Sequence, residues 1–99
     1  MESTNYLEKR FSKDPDMVYR RIGDECLLVP ISERTADLNY IFVLNPVAGR
    51  IWELLDVERS IREIRDIIAG EFEVTSQETE IDLVDFLEQL QKIGGVKEA

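Results

Sequence analysis

Twenty-one carboxylates, one thiol and no imidazole set the side-chain chemistry open to this 99-residue chain. Paired carboxylates can do acid–base work, and the densest group is Glu78, Glu80, Asp82, Asp85 and Glu88. That work needs a sheltered pocket in which pKa values shift. A chain of this length builds one core and has no second lobe to enclose such a pocket. Cys26 would need a neighbouring base to act as a nucleophile, and the usual one, histidine, is absent. On an apolar strand it reads instead as a buried structural thiol. One Cys/His ligand can form neither the usual zinc site nor an internal disulfide. The residues therefore predict a protein that is not an enzyme, with no cofactor and no metal.

Charge narrows the partners. The formal net charge is −9. The first 22 residues balance at +1, so the remaining 77 carry −10. A negative field opposes binding to a phosphate backbone or an anionic bilayer, so neither nucleic acid nor membrane is an expected partner. Residues 1 to 10 hold no apolar stretch like that of a signal peptide. No run approaches the roughly 18 apolar residues of a membrane span. A single thiol fits a reducing, cytoplasmic setting.

The elements that must position these residues can be read from spacing. Residues 1 to 16 are polar, mixed in charge and end in Asp14-Pro15-Asp16, which suggests a flexible N-terminal arm before a domain over 17–99. Met17 to Ile22 and Cys26 to Ile31 read as strands joined at Gly23-Asp24, a pair suited to a type II′ turn. A polar loop then leads to a third strand, Leu38 to Leu44, rich in β-branched and aromatic residues.

Three helices follow. Asn45-Pro46 caps and starts the first, which runs to about Leu55 with Val47, Ile51, Leu54 and Leu55 as its apolar stripe and Trp52, a core or interface anchor, at its flank. Ser60-Ile61-Arg62-Glu63 is a capping box for the second. Thr75-Ser76-Gln77-Glu78 is another, and opens the longest helix, which Gly94-Gly95 stops near Ile93. Leu83, Phe86, Leu87, Leu90 and Ile93 share its apolar face. The fold class is α+β: a three-stranded antiparallel sheet followed by three helices.

Sequential strands form a meander, which puts the first and third at the edges. Edge strands are normally guarded by Lys, Pro or a bulge. Leu38 to Leu44 contains no charge, no Pro and no Gly. Either another element covers this edge, or an extended peptide adds to it as a further strand. Tyr40, Phe42 and Leu44 project to one face and Asn39, Ile41 and Val43 to the other, so about half of them are core. On the last helix Asp82, Asp85, Phe86, Gln89, Lys92 and Ile93 share one side. Beside an open strand, the acids among them could form one wall of a groove that takes a basic peptide residue.

The region from Met17 to Val96 resembles the PqqD family, also known as the RiPP recognition element, RiPP meaning ribosomally made, post-translationally modified peptide. Leu44-Asn45 looks like the end of that family's third strand. Ala48 with Ile51-Trp52-Glu53-Leu54 looks like its first helix, and Ser60-Ile61-Arg62-Glu63-Ile64 like the start of its second. Phe72, Asp82, Phe86-Leu87, Leu90 and Gly95-Val96 match its last helix and terminus in order. Asp56-Val57 stands where the family often has Asp-Gly, and Pro30-Ile31-Ser32-Glu33 where the quinone-cofactor branch has Pro-Glu-Gly. The likeness is thus to the family in general rather than to that branch.

The resemblance implies a winged-helix-like fold. It also implies a peptide-binding site formed by Leu38, Asn39, Tyr40, Ile41, Phe42, Val43 and Leu44 with Asp82, Asp85, Phe86, Gln89, Lys92 and Ile93. There the leader of a precursor peptide would dock antiparallel to the third strand and be handed to a tailoring enzyme, often a radical S-adenosylmethionine (SAM) protein. Two other readings stand beside this one. A winged helix can bind DNA, although Arg59, Arg62 and Arg65 are interleaved with Glu58, Glu63 and Asp66. Third-strand edges can also pair with each other in a homodimer.

Overall fold

The computed structural model describes residues 6–31 and 41–99. β2 (Met17–Ile22) and β3 (Glu25–Pro30) form an antiparallel hairpin in the register Met17↔Pro30 to Ile22↔Glu25. Gly23 lies at φ +61, the left-handed value that the first central residue of a type II′ turn demands. β4 (Phe42–Leu44) pairs with the other side of β3, through Cys26↔Leu44, Leu27↔Val43 and Leu28↔Phe42. The sheet order is β2-β3-β4, so β3 is central and β4 is an edge. Of the expected third strand, Leu38, Asn39 and Tyr40 lie outside the described residues, and Ile41 precedes the paired segment.

The helices begin where their caps predict. α1 (Pro46–Leu54) starts with the Asn45 side chain accepting the Ala48 N–H at 2.8 Å. α2 (Ile61–Phe72) carries a complete capping box between Ser60 and Glu63 and ends at Glu73 in the left-handed region. α3 (Ser76–Lys92) opens on Thr75, whose hydroxyl accepts the Glu78 N–H. The Glu78 carboxylate meets that same hydroxyl rather than the Thr75 amide, so the reciprocal half of the expected box is replaced. Gly94, at φ +75, turns the chain out of α3.

The arm expectation is corrected for residues 6 to 16. Phe11–Lys13 is a strand, β1, paired antiparallel with β5 (Val96–Glu98) in a second, two-stranded sheet. Phe11 is only 1% exposed, and Leu7 is buried in the same core. Further backbone bonds tie the segment down, from Asp14 N–H to Gly95 O and from Ile61 N–H to Lys9 O. A three-residue strand with one large apolar side chain has no periodic signal of its own. Its partner strand is at the other end of the chain.

The core is shared by the sheet's inner face and the three helices. Leu28, Ile51, Leu55, Ile61, Ile64, Ile68, Leu83, Leu87 and Leu90 are fully buried. On α3 the stripe is narrower than its spacing suggested: Phe86 and Ile93 are half-buried at its flank, while Thr79 is buried. Thr79 tolerates burial because its hydroxyl donates to Thr75 O at 2.9 Å. Trp52 is also buried, with Lys13 Nζ over its ring and donating to its carbonyl at 3.1 Å. Burial pulls the Lys13 ammonium below its ordinary pKa, against the opposing pull of Asp56 and Glu53.

Candidate peptide-binding surface

The register sorts the edge strand's side chains. On the inner face, Tyr19, Leu28 and Phe42 form one row across the three strands, and Arg21, Cys26 and Leu44 form the next. Leu44 is core, so its side chain is closed to any ligand, while Phe42 is half-buried against that core. On the outer face Val43 is 67% exposed and Ile41 55%. The alternation of faces thus follows the period-2 reading of this strand.

β4 packs on β3 and on α1, whereas the main neighbours of α3 are α2, α1 and β5. The strand and the last helix therefore do not pack directly on each other along their lengths; both are held by α1 and the common core. The part of the sheet that does approach the last helix is the end where Met17 opposes Pro30. A side chain placed on Gly95 would come within 3.3 Å of Met17 Cε and 3.5 Å of Leu90, so this end of the sheet abuts the C-terminal end of α3. On α3, Asp82, Asp85, Gln89 and Lys92 are exposed, and Phe86 and Ile93 are half-buried against the core. Gln89 donates to Asp85 at 3.2 Å.

The charges divide unevenly. Arg59 lies beside Asp56, Arg62 pairs with Glu8, and Arg65 pairs with both Asp66 and Glu80. The run of arginines that could have met DNA is thus engaged within the chain. Among the described residues no cation pairs with Asp82, Asp85 or Glu88, which leaves the exposed side of α3 acidic.

The far end of the sheet, near the hairpin turn, holds a polar network that sequence spacing could not reveal. Tyr19 Oη lies 2.8 Å from Glu53 Oε2 and 3.3 Å from Cys26 Sγ. The hydroxyl has one proton, which it donates to the nearer carboxylate oxygen, with Cys26 Sγ as the longer, weaker contact. Arg50 bonds both oxygens of Glu71 at 2.9 Å and reaches Glu53 at 3.2 Å. Strand β2, α1 and α2 are thereby joined. The Tyr19 hydrogen bond, with help from Arg50, holds the Glu53 carboxyl below its ordinary pKa, and Arg50 does the same for Glu71. Burial, then the bonds to Cys26 and Glu53, push the Tyr19 hydroxyl up. Gly49 is required here because any Cβ would stand 2.6 Å from Cys26 Sγ. A cleft of about 340 Å³, lined in part by Arg21, Pro46 and Phe72, opens beside this network.

The comparisons with known proteins agree on what this architecture is. Residues 26–96 match the profile of the family described as Coenzyme PQQ synthesis protein D (PqqD). The chain belongs to the PqqD family. Among solved structures, TbiB1 in complex with the TbiA(β) leader peptide is similar, with a TM-score of 0.70 and 30% identity. The match covers 87% of this chain and 94% of TbiB1. No curated protein matches the chain significantly. The PqqD likeness inferred from Leu44-Asn45, the helix patterns and Gly95-Val96 is thus met by the family profile and by a fold that shares the three-stranded sheet and three helices.

Proposed function

We propose that this chain is a non-catalytic adaptor that binds the leader of a ribosomally made precursor peptide and presents it to a modifying enzyme. The observation that carries the reading is its 30% identity, over 87% of its length, to a protein whose structure holds a leader peptide. In this reading an extended leader adds as a strand beside β4, with backbone bonds for affinity and contacts to the half-buried Phe42, Phe86 and Ile93 for specificity. Leu38 to Leu44 offers no charge, Pro or Gly to repel such a strand. Asp82 and Asp85 would meet a Lys or Arg of the leader. The partner enzyme of this reading is a tailoring enzyme, such as a radical SAM protein.

Magnitudes are compatible with a carrier that must also release its cargo. Each backbone hydrogen bond contributes about 0.5–1.5 kcal/mol net. Two or three buried apolar anchors contribute about 1.5–3 kcal/mol each. Ordering the peptide costs back about 2–5 kcal/mol. What remains corresponds to roughly micromolar affinity.

The test is to titrate a candidate leader peptide, from a short open reading frame sought beside this gene, into isotope-labelled protein. Shifts should concentrate at 38–44 and 82–93, and affinity should fall between low and high salt. Perturbations confined to other residues would overturn the site. An affinity indifferent to salt would remove the acidic wall from it.

A further inference from the structure

The outer face of the three-stranded sheet is where the molecule departs furthest from what a solvent-facing surface should be. An antiparallel sheet with one wet face normally alternates apolar-in and polar-out. Here the register stacks Arg20, Leu27 and Val43 across the three strands, with Val18 opposite Val29 on one side of that row and Ile22 opposite Glu25 on the other. Ile31 and Ile41 continue the face by parity. Among the described residues, Arg20 and Glu25, of opposite sign, are its only charged residues. Ile22 is 61% exposed, Ile31 60%, Ile41 55% and Val43 67%. Isolated exposed aliphatics are ordinary, but a contiguous set on one face marks an interaction surface.

We infer that this outer face is the docking surface for the modifying enzyme, and that the bound leader forms part of it. The inference rests on the leader-binding reading of β4. Ile41 and Val43 belong to the proposed peptide edge and to this face at once. A leader strand added about 4.8 Å beyond β4 would widen the face by one strand, with alternate leader side chains pointing outward beside Val43. The enzyme would then touch adaptor and leader together, so that loaded adaptor binds better than empty adaptor.

Charge decides against a second copy of this chain as the occupant. Each copy carries −9, so association of two copies works against long-range repulsion. The face itself is near neutral among the described residues, with Arg20 and Arg21 exposed along its β2 side. The complementary partner is a different protein with an apolar patch, and the enzyme that acts on the leader is the one that must reach the strand continuous with this face.

The experiment uses the full chain with a candidate precursor and a candidate modifying enzyme sought in its gene neighbourhood. Ile22→Ser/Ile31→Ser alters two side chains on the face, neither of them in β4. Val57→Ser, at an exposed aliphatic off the sheet, is the control. Leader affinity is read by fluorescence polarisation, and enzyme affinity by biolayer interferometry with and without leader. Expected are a leader Kd within about twofold of wild type in both variants, and a loss of about tenfold or more in enzyme affinity for the double variant alone. Leader should also tighten enzyme binding to the wild type. Retention of full enzyme affinity by a folded double variant would overturn the inference. So would a dimeric mass by light scattering that Ile22→Ser/Ile31→Ser reduces to monomer. Should the wild type fail to bind leader, the adaptor reading fails by itself. Enzyme affinity measured without leader would still judge the docking face.

Discussion

The sheet has two edges, and they are built differently. β2 carries Arg20 and Arg21, both exposed, and the hairpin's open end is tied by bonds from Met17 N–H to Asp14 O and from Ile31 N–H to Asp16 O. β4 carries Phe42, Val43 and Leu44 within an uncharged stretch. One edge bears the charges that proteins use against stray strand pairing, and the other lacks them. Both hang on the same central strand and the same core. The difference is therefore not one of support but of what each edge offers to an incoming chain. It teaches that an uncharged edge strand beside a well-built core is a feature to be explained by function.

The largest effect should come from removing what the two edges share. Leu28 is fully buried in β3, between Tyr19 and Phe42. Leu28→Ala should cost about 2–5 kcal/mol in chemical denaturation and weaken both edges together. Loss confined to leader binding, with stability intact, would show that the edges do not depend on a common centre.

Next in size is Gly49→Ala. Its Cβ would collide with Cys26 Sγ and push α1 away from β3 and β4. Destabilisation of about 1–3 kcal/mol is expected, seen as a lowered melting temperature. An unchanged melting point would mean that α1 can shift freely, and that β4 is less firmly backed than its packing suggests.

Exchanging the character of the edges sharpens the comparison directly. Val43→Lys should leave stability within about 0.5 kcal/mol, because the side chain is exposed, and lower leader affinity about tenfold. Arg20→Val with Arg21→Val should change leader affinity by less than about twofold. If the β2 exchange instead created new peptide binding, charge alone would distinguish the edges, and the acidic side of α3 would not matter.

The smallest effect concerns the polar network that holds the hairpin end. Arg50 lowers the Glu71 pKa from its ordinary 4.5. A depressed carboxylate contributes stability that is present above the unfolded value and lost as pH falls through the folded one. Glu71→Gln should therefore be slightly less stable than wild type at neutral pH. The gap should close as pH drops below 4.5. Urea midpoints measured across that range would check it, and a gap independent of pH would assign the effect to packing rather than to charge.

Sequence by itself determined the elements whose signals are local. Asn45-Pro46, the Ser60–Glu63 box, Thr75 and Gly94 act within one helical turn, and Gly23 within one hairpin, so caps and turn could be read off residue by residue. The faces of β4 followed from simple alternation. Only the tertiary structure decided the rest. The β1–β5 sheet joins segments some 85 residues apart in sequence. The Lys13–Trp52 contact and the Tyr19–Glu53–Arg50–Glu71 network likewise depend on which elements meet. The half-burial of Phe86 and Ile93 is a matter of packing that helical period cannot express. Short-range hydrogen bonding is written into neighbouring residues, whereas long-range contact exists only once the core has brought distant residues together.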